Sequence, residues 1–569
     1  MTSSLLLTAP RRIYKLMFVV LVVLYAMVLV LYPALSPSDE YAFLPTLQSG
    51  KAFPMYGEDF PYYDSNQLGR FSPLGGQEYN FVALVSNAPL AYFTFNALLL
   101  IGFSLIFVAV LKRTLSDYTY LYVIPIIVFL TPGFALTFPK LLYTEKHVLF
   151  YFSVFLLAFL MFQEHQKLRD FMIALLGANV AIYYKETAFL AVGTFAAAHL
   201  ALTWRVMSRR ARLLDGLLVG SALLYISLYA VMILPQKTTH QDYIPYGGRL
   251  VVGVKNLLNY GLFSDPIVVF LLFPLVAWRV YAVFVRKSEP CHPVHDPLLF
   301  AGSAYAGAYL ILNIYGPYYF LPVYLFALPP IFYFLTRDRL KQWGWKAAAM
   351  VTVLVLTVNA VPASLHYLTY NKYLPVNFNR TMDFLVQDVN RRYSGERLAI
   401  FFAGVDRGTG RGVYFVVGEF LRFKGLAIDK FDFKSRQEAL DPGPFIGHRS
   451  PFDRDEDIER LQARYKFVNP QWPFTVFQPG PLPDIHSGDY LVVSPHSTAN
   501  LDAAYFESLH KDYEIVFHAD SMFAIPRVNL KMAIKYLLIQ GLTSEQRGRG
   551  VIVSENLWNW PDYYVFVKR

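Results

Sequence analysis

The stretch LMFVVLVVLYAMVLVLY at residues 16–32 decides the fold class, because it is an unbroken apolar run long enough to cross a lipid bilayer. Arg11, Arg12 and Lys15 come directly before it, a pattern typical of a first span whose N-terminus stays in the cytoplasm. The run is longer than the ~7–15 apolar residues of a cleavable signal peptide. We therefore predict an uncleaved first membrane span, with a removed signal peptide as the alternative.

The composition extends this prediction to most of the chain. Of its 569 residues, 55% are hydrophobic, 17% are aromatic and only 16% are charged, whereas water-soluble domains have about 25% charged residues. At ~20 apolar residues per span, the sequence predicts a polytopic, all-α membrane bundle of about eleven helices over residues 1–365. The predicted spans are 13–33, 90–111, 119–138, 147–163, 171–184, 187–204, 214–234, 265–285, 298–314, 317–335 and 346–362.

The net charge of +10 is distributed in a way that predicts orientation. Lys and Arg residues recur in alternate connections between the apolar runs, such as Arg205–Arg212 and Arg337–Lys341. The positive-inside rule places these connections in the cytoplasm, which explains the charge without a nucleic-acid partner. We expect a multi-pass protein of the cytoplasmic (inner) membrane, in contact with membrane lipid, with its N-terminus inside. The single cysteine, Cys291, excludes an internal disulfide.

From about residue 366 the charge density rises and the apolar runs become short. Runs of this length predict buried strands, here at Leu398–Phe402, Tyr490–Val493 and Ile515–Phe517. Asp455–Tyr465 between them predicts a charged helix. The alternation predicts a C-terminal mixed α/β domain over residues 366–569, on the extracytoplasmic side.

The first outside loop, residues 34–89, contains two adjacent carboxylates, Asp39 and Glu40, just beyond the first span. Two like charges at a membrane boundary raise the pKa of one carboxylate toward the range of a general base. The alternative is a solvated loop start in which Asp39 caps a helix. Arg70 and Glu78 follow among many aromatic residues, which is typical of a reactive groove or of an interfacial loop.

The next outside turn brings Glu145 together with Lys140, Lys146 and His147 where two spans emerge. Cations on this side run against the positive-inside trend, so a bound phosphate is one explanation for them. Snorkelling of the lysines to the lipid headgroups is the other explanation.

Two further features lie on the predicted outer side. Lys185-Glu186 joins two short spans, as a reactive pair or as a structural ion pair. Tyr315-Gly316-Pro317-Tyr318-Tyr319 is either an aromatic belt at the membrane surface or the wall of a sugar or lipid site.

The first loop resembles the opening loop of the C-type glycosyltransferase superfamily (GT-C). The residues that carry the resemblance are Asp39-Glu40-Tyr41-Ala42, Leu47-Gln48-Ser49-Gly50-Lys51 and Pro54-Met55-Tyr56. The layout is also similar, with the outward turn Tyr184-Lys185-Glu186 and an outside domain after the last span. Protein mannosyltransferases, aminoarabinose transferases and arabinofuranosyltransferases belong to this superfamily, and they take sugars from polyprenyl-phosphate carriers.

The resemblance implies a role for each candidate residue. Asp39 is expected to deprotonate the acceptor hydroxyl, with Glu40 and Glu145 assisting. The residues expected to bind the donor phosphate are Lys185, Lys146, Lys140, His147 and Arg70, and those expected to line the donor and acceptor pocket are Tyr41, Tyr315 and Tyr318. Some relatives hold a divalent metal, Mg or Mn, between two acidic loops. Asp39 and Glu145 resemble such ligands, but two oxygens do not make a metal site, so no metal ligand is assigned.

Together these features predict an inverting glycosyltransferase that moves a sugar from a polyprenyl-phosphate carrier to an acceptor hydroxyl outside the cytoplasm. The acceptor class, whether protein, lipid or polysaccharide, stays open. A polytopic transporter or lipid flippase is the alternative, and it predicts ionisable residues near the middle of spans and an internal repeat. A non-catalytic membrane assembly protein is a third class, which needs no acidic first loop.

Overall fold

The computed structural model of the chain describes residues 2–37, 71–115, 117–236, 249–337, 342–402, 417–418, 420–427, 429–434, 485–495, 509–521 and 562–569, with residues 525, 530 and 533. These residues form two compact units. One unit contains the described helices up to Leu368, and the other contains nearly all the described residues from Thr369 onward together with residues 32–37. The candidate site lies in the first unit.

The first unit is built of helices joined by short turns. Its helices are α1 (Thr2–Val30), α2 (Glu78–Ala83), α3 (Pro89–Thr114), α4 (Val123–Phe129), α5 (Pro132–Thr137), α6 (Glu145–His165), α7 (Leu168–Tyr184), α8 (Ala188–Thr203), α9 (Arg209–Met232), α10 (Arg249–Asn259), α11 (Phe273–Val280), α12 (His295–Ile311), α13 (Val323–Arg337), α14 (Trp343–Val355) and the start of α15 (Val361–Arg392). Single 3₁₀ turns lie at Tyr118–Leu121, Leu234–Gln236 and Pro317–Phe320, and π-helical turns at Tyr260–Ser264, Val268–Leu272, Tyr281–Val285 and Leu356–Ala360.

The apolar length of these helices identifies a membrane protein. Within the described ranges, six helical segments are long and apolar enough to cross a membrane, and two more are apolar but shorter. The predicted, mostly helical membrane fold is therefore confirmed, whereas the count of about eleven spans and the orientation stay predictions. The six segments are Arg12–Val30, Pro89–Thr114, Glu145–His165, Arg209–Met232, Val268–Val285 and Trp343–Arg392, and the shorter two are Ala188–Thr203 and Val323–Thr336.

The segment predicted as a span at 119–138 consists of two short helices, α4 and α5. Pro132 is the first residue of α5 and has no N–H to continue the α4 ladder. Thr131 caps the new helix, since its hydroxyl accepts a hydrogen bond from the N–H of Phe134. Together, α4 and α5 form a broken helix. After the break, α5 lies against the turn at Pro317–Phe320.

Close contacts fix α5 in place. The rings of Phe129 and Phe134 stack with centroids 4.4 Å apart, and the hydroxyl of Tyr25 on α1 donates to the carbonyl of Phe129 at 2.6 Å. A Cβ at Gly133 would lie 2.6 Å from the carbonyl oxygen of Pro317, so only glycine allows this approach. The turn that carries the predicted pocket tyrosines is thereby held against α5.

Helices α6 and α7 form an antiparallel hairpin. Gln166 ends α6 in the left-handed conformation, with φ at 53°, and reverses the chain within the few residues before α7 begins. A Cβ at Gly177 would lie 3.2 Å from the backbone nitrogen of Phe155, so the two helices approach closely. The first residue of α6 and the residue after α7 consequently lie side by side.

The second unit contains a five-stranded mixed sheet in the order β2-β1-β3-β5-β4. The strands β1 and β3 are parallel neighbours, whereas β5 pairs antiparallel with both β3 and β4. Strands occur where the short apolar runs predict them, and the predicted helix at Asp455–Tyr465 lies outside the described residues. The strands are β1 (Leu398–Phe402), β2 (Phe431–Lys434), β3 (Tyr490–Val493), β4 (Tyr513–Ala519) and β5 (Tyr563–Lys568).

Candidate active site

Four of the predicted site residues, Asp39, Glu40, Tyr41 and Arg70, lie outside the described residues. Their roles stay predictions. The other seven lie in the helical unit, and six of them lie near the open end of the α6–α7 hairpin.

At this end Glu145, the first residue of α6, meets Lys185, which follows α7 directly. The ammonium nitrogen of Lys185 lies 3.0 Å from Glu145 Oε1, and the two side chains are 9% and 2% exposed. Sequence reasoning offered Glu186 as an ion-pair partner of Lys185, and the structure places Glu145, from α6, beside its ammonium group. Two charges buried this deeply are stable because each neutralises the other.

Lys146 has a different environment from its neighbour Glu145. Its ammonium group donates to the carbonyl oxygens of Lys140 at 2.6 Å, Leu141 at 2.7 Å and Tyr143 at 2.9 Å. An ammonium group has three protons, so these three bonds use its donor capacity. Lys146 therefore closes the turn before α6, and Lys140 lies buried in the same turn.

His147 lies in a buried group of three that we name the Glu78 triad: Glu78, His147 and Tyr184. The Nε2 atom of His147 lies 3.0 Å from Glu78 Oε1, and the hydroxyl of Tyr184 donates to Glu78 Oε2 at 2.8 Å. Burial raises the pKa of Glu78 to about 7, although its own backbone N–H, the Tyr184 hydroxyl and the charge of Lys146 act in the opposite direction. The imidazole also stacks on the ring of Tyr184 at 5.2 Å.

Four tyrosines form a second group, the tyrosine cluster: Tyr143, Tyr309, Tyr318 and Tyr319. Tyr143 stacks on Tyr318 with ring centroids 4.5 Å apart, Tyr318 contacts Tyr319 at 4.2 Å, and Tyr319 stacks on Tyr309 at 4.6 Å. The ammonium nitrogen of Lys185 lies 5.3 Å from the centre of the Tyr319 ring, a cation–π distance. The cluster thus extends from the ion pair to the half-buried ring of Tyr318.

The predicted pocket residues Tyr315 and Tyr318 face different neighbours. Tyr318 belongs to the tyrosine cluster, whereas the ring of Tyr315 lies 4.8 Å from that of Tyr260. Tyr260 also donates to the carbonyl of Ile314 at 3.1 Å. The structure therefore brings Tyr318 into the group around Lys185 and places the ring of Tyr315 against that of Tyr260.

Sequence reasoning did not single out Tyr143, Tyr309 or Thr187, whose hydroxyl lies 2.8 Å from that of Tyr309. It noted Glu78 only as one of many ionisable residues in the first loop. The signal available for Glu78 was a carboxylate among aromatic residues. Its partner Tyr184 is 106 residues away, and no sequence pattern reveals that contact.

The described residues do not form a metal site. Among them, no three His, Cys, Asp or Glu side chains come together in a way that could hold a metal ion. Glu145 is one of the two carboxylates considered as metal ligands. The ammonium nitrogen of Lys185 lies 3.0 Å from its Oε1 atom and already supplies a positive charge there. The Mg or Mn ion that the resemblance places between Asp39 and Glu145 stays a prediction, because Asp39 lies outside the described residues.

Comparison with solved structures found three that this chain is similar to at low sequence identity. The chain is similar to ArnT from Cupriavidus metallidurans bound to undecaprenyl phosphate, with 12% identity, a TM-score of 0.41, and coverage of 89% of this chain and 96% of that chain. It is similar to the Archaeoglobus fulgidus oligosaccharyltransferase in complex with Zn and sulfate, with 11% identity, a TM-score of 0.39, and coverage of 96% and 88%. It is also similar to the arabinofuranosyltransferase AftD from Mycobacteria, with 13% identity, a TM-score of 0.37, and coverage of 89% and 37%.

The solved structures that this chain is similar to thus include an oligosaccharyltransferase and an arabinofuranosyltransferase. No protein-family model and no curated protein matches the sequence. At these TM-scores we take no residue role from the similar structures, and the roles proposed below rest on the contacts of this chain.

Proposed function

We propose that this chain is an inverting membrane glycosyltransferase that moves a sugar from a polyprenyl-phosphate carrier to an acceptor hydroxyl on the extracytoplasmic side. The observation that carries the proposal is the buried Glu145–Lys185 pair at 3.0 Å, with the tyrosine cluster beside it. This combination offers a positive charge for a phosphate and flat rings for a sugar, at the end of apolar helices that suit a lipid carrier.

Lys185 is the best-placed cation for the phosphate among the described candidates. Its ammonium nitrogen lies 3.0 Å from Glu145 Oε1, at the end of the hairpin. A phosphate oxygen within reach of this ammonium group would form a charge-assisted hydrogen bond, which is roughly twice as strong as a neutral one. Lys146 is less suited to this role, because three backbone carbonyls already accept its protons.

The proposed reaction breaks one bond and forms one. Asp39 takes the proton of the acceptor hydroxyl, and the acceptor oxygen attacks the anomeric carbon of the sugar. The bond between that carbon and the carrier's phosphate oxygen breaks, and the electron pair leaves with the phosphate. Attack from the face opposite the leaving group inverts the anomeric configuration. Lys185 would stabilise the negative charge that develops on the phosphate as the bond breaks.

The tyrosine cluster would position the donor sugar. Tyrosine rings present flat apolar faces and a hydroxyl, and both suit a sugar whose faces are apolar and whose edges are polar. Tyr318 and Tyr143 are half-buried, so their ring surfaces remain partly accessible next to the ion pair. This arrangement leaves the identity of the sugar open.

The test is sugar transfer in vesicles that contain the purified full-length chain, a panel of polyprenyl-phosphate sugars and a panel of acceptors. We expect transfer by the wild type and none by Asp39→Asn, with an inverted anomeric linkage determined by NMR of the product. Retention of configuration would contradict the proposed mechanism. Movement of labelled donor across the vesicle bilayer without transfer would instead support a flippase.

A further inference from the structure

Two members of the Glu78 triad are close neighbours in sequence of the Glu145–Lys185 pair. His147 follows Glu145 by two residues on α6, and Tyr184 immediately precedes Lys185 at the end of α7. One carboxylate therefore contacts the neighbours of both charged residues, with Glu78 Oε1 3.0 Å from His147 Nε2 and Oε2 2.8 Å from the Tyr184 hydroxyl.

We propose that Glu78 is a positioning residue for the glycosyl transfer: through His147 and Tyr184 it holds the backbone from which Glu145 and Lys185 project. The inference rests on the proposed function, since it assigns a role in the same reaction. Glu78 itself lies on α2 in the first outside loop, so it links that loop to the open end of the hairpin.

A second residue of α2 supports this role. The hydroxyl of Tyr79 donates to the carbonyl of Leu141 at 2.7 Å, and Lys146 donates to the same carbonyl at 2.7 Å. The turn before α6 is thus held from α2 and from α6 itself. The triad holds the residues on the other side of Glu145. The ion pair is thus fixed from both helices, α6 and α7, at the open end of the hairpin.

The geometry also explains why a carboxylate stands at this position. A carboxylate has two oxygens that accept from different directions, and here one faces α6 and the other faces α7. An amide at the same position has one acceptor oxygen and replaces the other oxygen with an NH₂ group, so the contact with either Tyr184 or His147 would change. This change would leave the helix ends free to shift, and misplacement of a catalytic group by about 1 Å can cost about 100-fold in rate.

A double-mutant cycle separates positioning from general stability. We expect Glu78→Gln and Tyr184→Phe each to lower kcat for sugar transfer about 10- to 100-fold with KM within about twofold. In a Lys185→Gln background the same substitutions should change the rate by less than about twofold, because their effect acts through Lys185. The matched control is Asp215→Asn, which changes another buried carboxylate paired with a histidine and should leave kcat unchanged.

A second readout is the affinity for polyprenyl phosphate without a sugar, which needs neither acceptor nor transfer. Binding of polyprenyl phosphate that depends on Lys185 and weakens in Glu78→Gln supports the positioning role. If the wild type binds in this way but transfers no sugar, that result counts against the proposed function and not against the positioning role. If Glu78→Gln and Tyr184→Phe lowered the rate equally with Lys185 present and with Lys185→Gln, the positioning role would be overturned. Sugar transfer by the wild type would still support the proposed function. Absence of both binding and transfer in the wild type would overturn both.

Discussion

Among its described residues, the helical unit holds two buried contacts between a histidine and a carboxylate, and they differ in what they connect. Nδ1 of His199 lies 2.6 Å from Oδ2 of Asp215, and this contact joins α8 to the next helix, α9. The two residues are 16 positions apart, so the contact joins two consecutive helices across the connection between them. Such a contact satisfies two polar groups inside an apolar bundle, which is sufficient reason for it to exist.

The Glu78 triad also places a histidine beside a carboxylate, with Nε2 of His147 3.0 Å from Oε1 of Glu78. Its carboxylate accepts from Tyr184, 106 residues away, and it connects three helices instead of two. A buried ion pair and the tyrosine cluster lie next to it in the chain. The comparison teaches that a buried histidine and carboxylate do not by themselves identify a reactive site, so the proposed site rests on the charged pair and the aromatic rings beside them.

Among the described residues, the largest effect should follow from removing the charge of Lys185. Loss of one group that stabilises developing negative charge costs about 10²–10³ in kcat in enzymes of known mechanism, and we expect this loss for Lys185→Gln. The matched control is Lys167→Gln, at the other end of the same hairpin, where the side chain is exposed. Initial rates of sugar transfer in vesicles measure both, and equal rates for the two variants would remove Lys185 from the mechanism.

The Glu78 triad should respond to pH because burial raises the pKa of Glu78 from 4.5 to about 7. The folded protein then binds this proton more tightly than the unfolded chain, so the stabilisation is full below about pH 4.5 and is lost as the pH rises through about 7. A pKa change of this size is worth on the order of 3 kcal/mol. Glu78→Gln should lack this dependence when thermal unfolding in detergent is followed across that range.

Tyr184→Phe tests, in the same experiment, how the Tyr184 hydroxyl affects the pKa of Glu78. The Tyr184 hydroxyl stabilises the ionised form of Glu78, which lowers its pKa. Without this hydroxyl, the pH at which the stabilisation is lost should move upward. A shift downward, or identical profiles for wild type and Glu78→Gln, would show that Glu78 ionises without constraint from its neighbours.

These contacts also show what a sequence can and cannot predict. Lys185 and Glu145 are predictable one at a time, because each is an ionisable residue at the end of an apolar run. Their pairing is not predictable, because it depends on the hairpin of α6 and α7, and the adjacent Glu186 was the simpler choice of partner. Apolar length predicts helices, whereas the direction in which a charged side chain points depends on packing between helices.

The same limit applies to the tyrosines. Tyr315 and Tyr318 stand three residues apart in one turn, and a sequence offers no reason to treat them differently. The turn at Pro317–Phe320 packs closely on Gly133, and this contact directs Tyr318 toward Tyr143 while Tyr315 contacts Tyr260. The fold class followed from apolar runs alone, but the members of the site depend on such single close contacts.

A smaller effect is expected at the other histidine and carboxylate. Replacing His199 by leucine removes the partner of Asp215 Oδ2 and leaves a fully buried carboxylate without that hydrogen bond. The cost of such a loss is about 1–3 kcal/mol in folding free energy. We expect lower thermal stability in detergent but an unchanged kcat per folded molecule. A fall in kcat at full stability would place His199 in the reaction and remove the contrast between the two contacts.

The smallest effect should distinguish the two tyrosines of the predicted pocket. Tyr318→Ala removes a ring stacked on Tyr143 at 4.5 Å, and stacking of this kind is worth about 0.5–1.5 kcal/mol. If the sugar of the donor lies against this surface, KM for the donor should rise about 2- to 10-fold while kcat changes little. Tyr315→Ala is the matched control, because its ring contacts Tyr260 instead of the tyrosine cluster. A larger rise in KM for Tyr315→Ala than for Tyr318→Ala would place the sugar on the Tyr260 side of the turn and separate its site from Lys185.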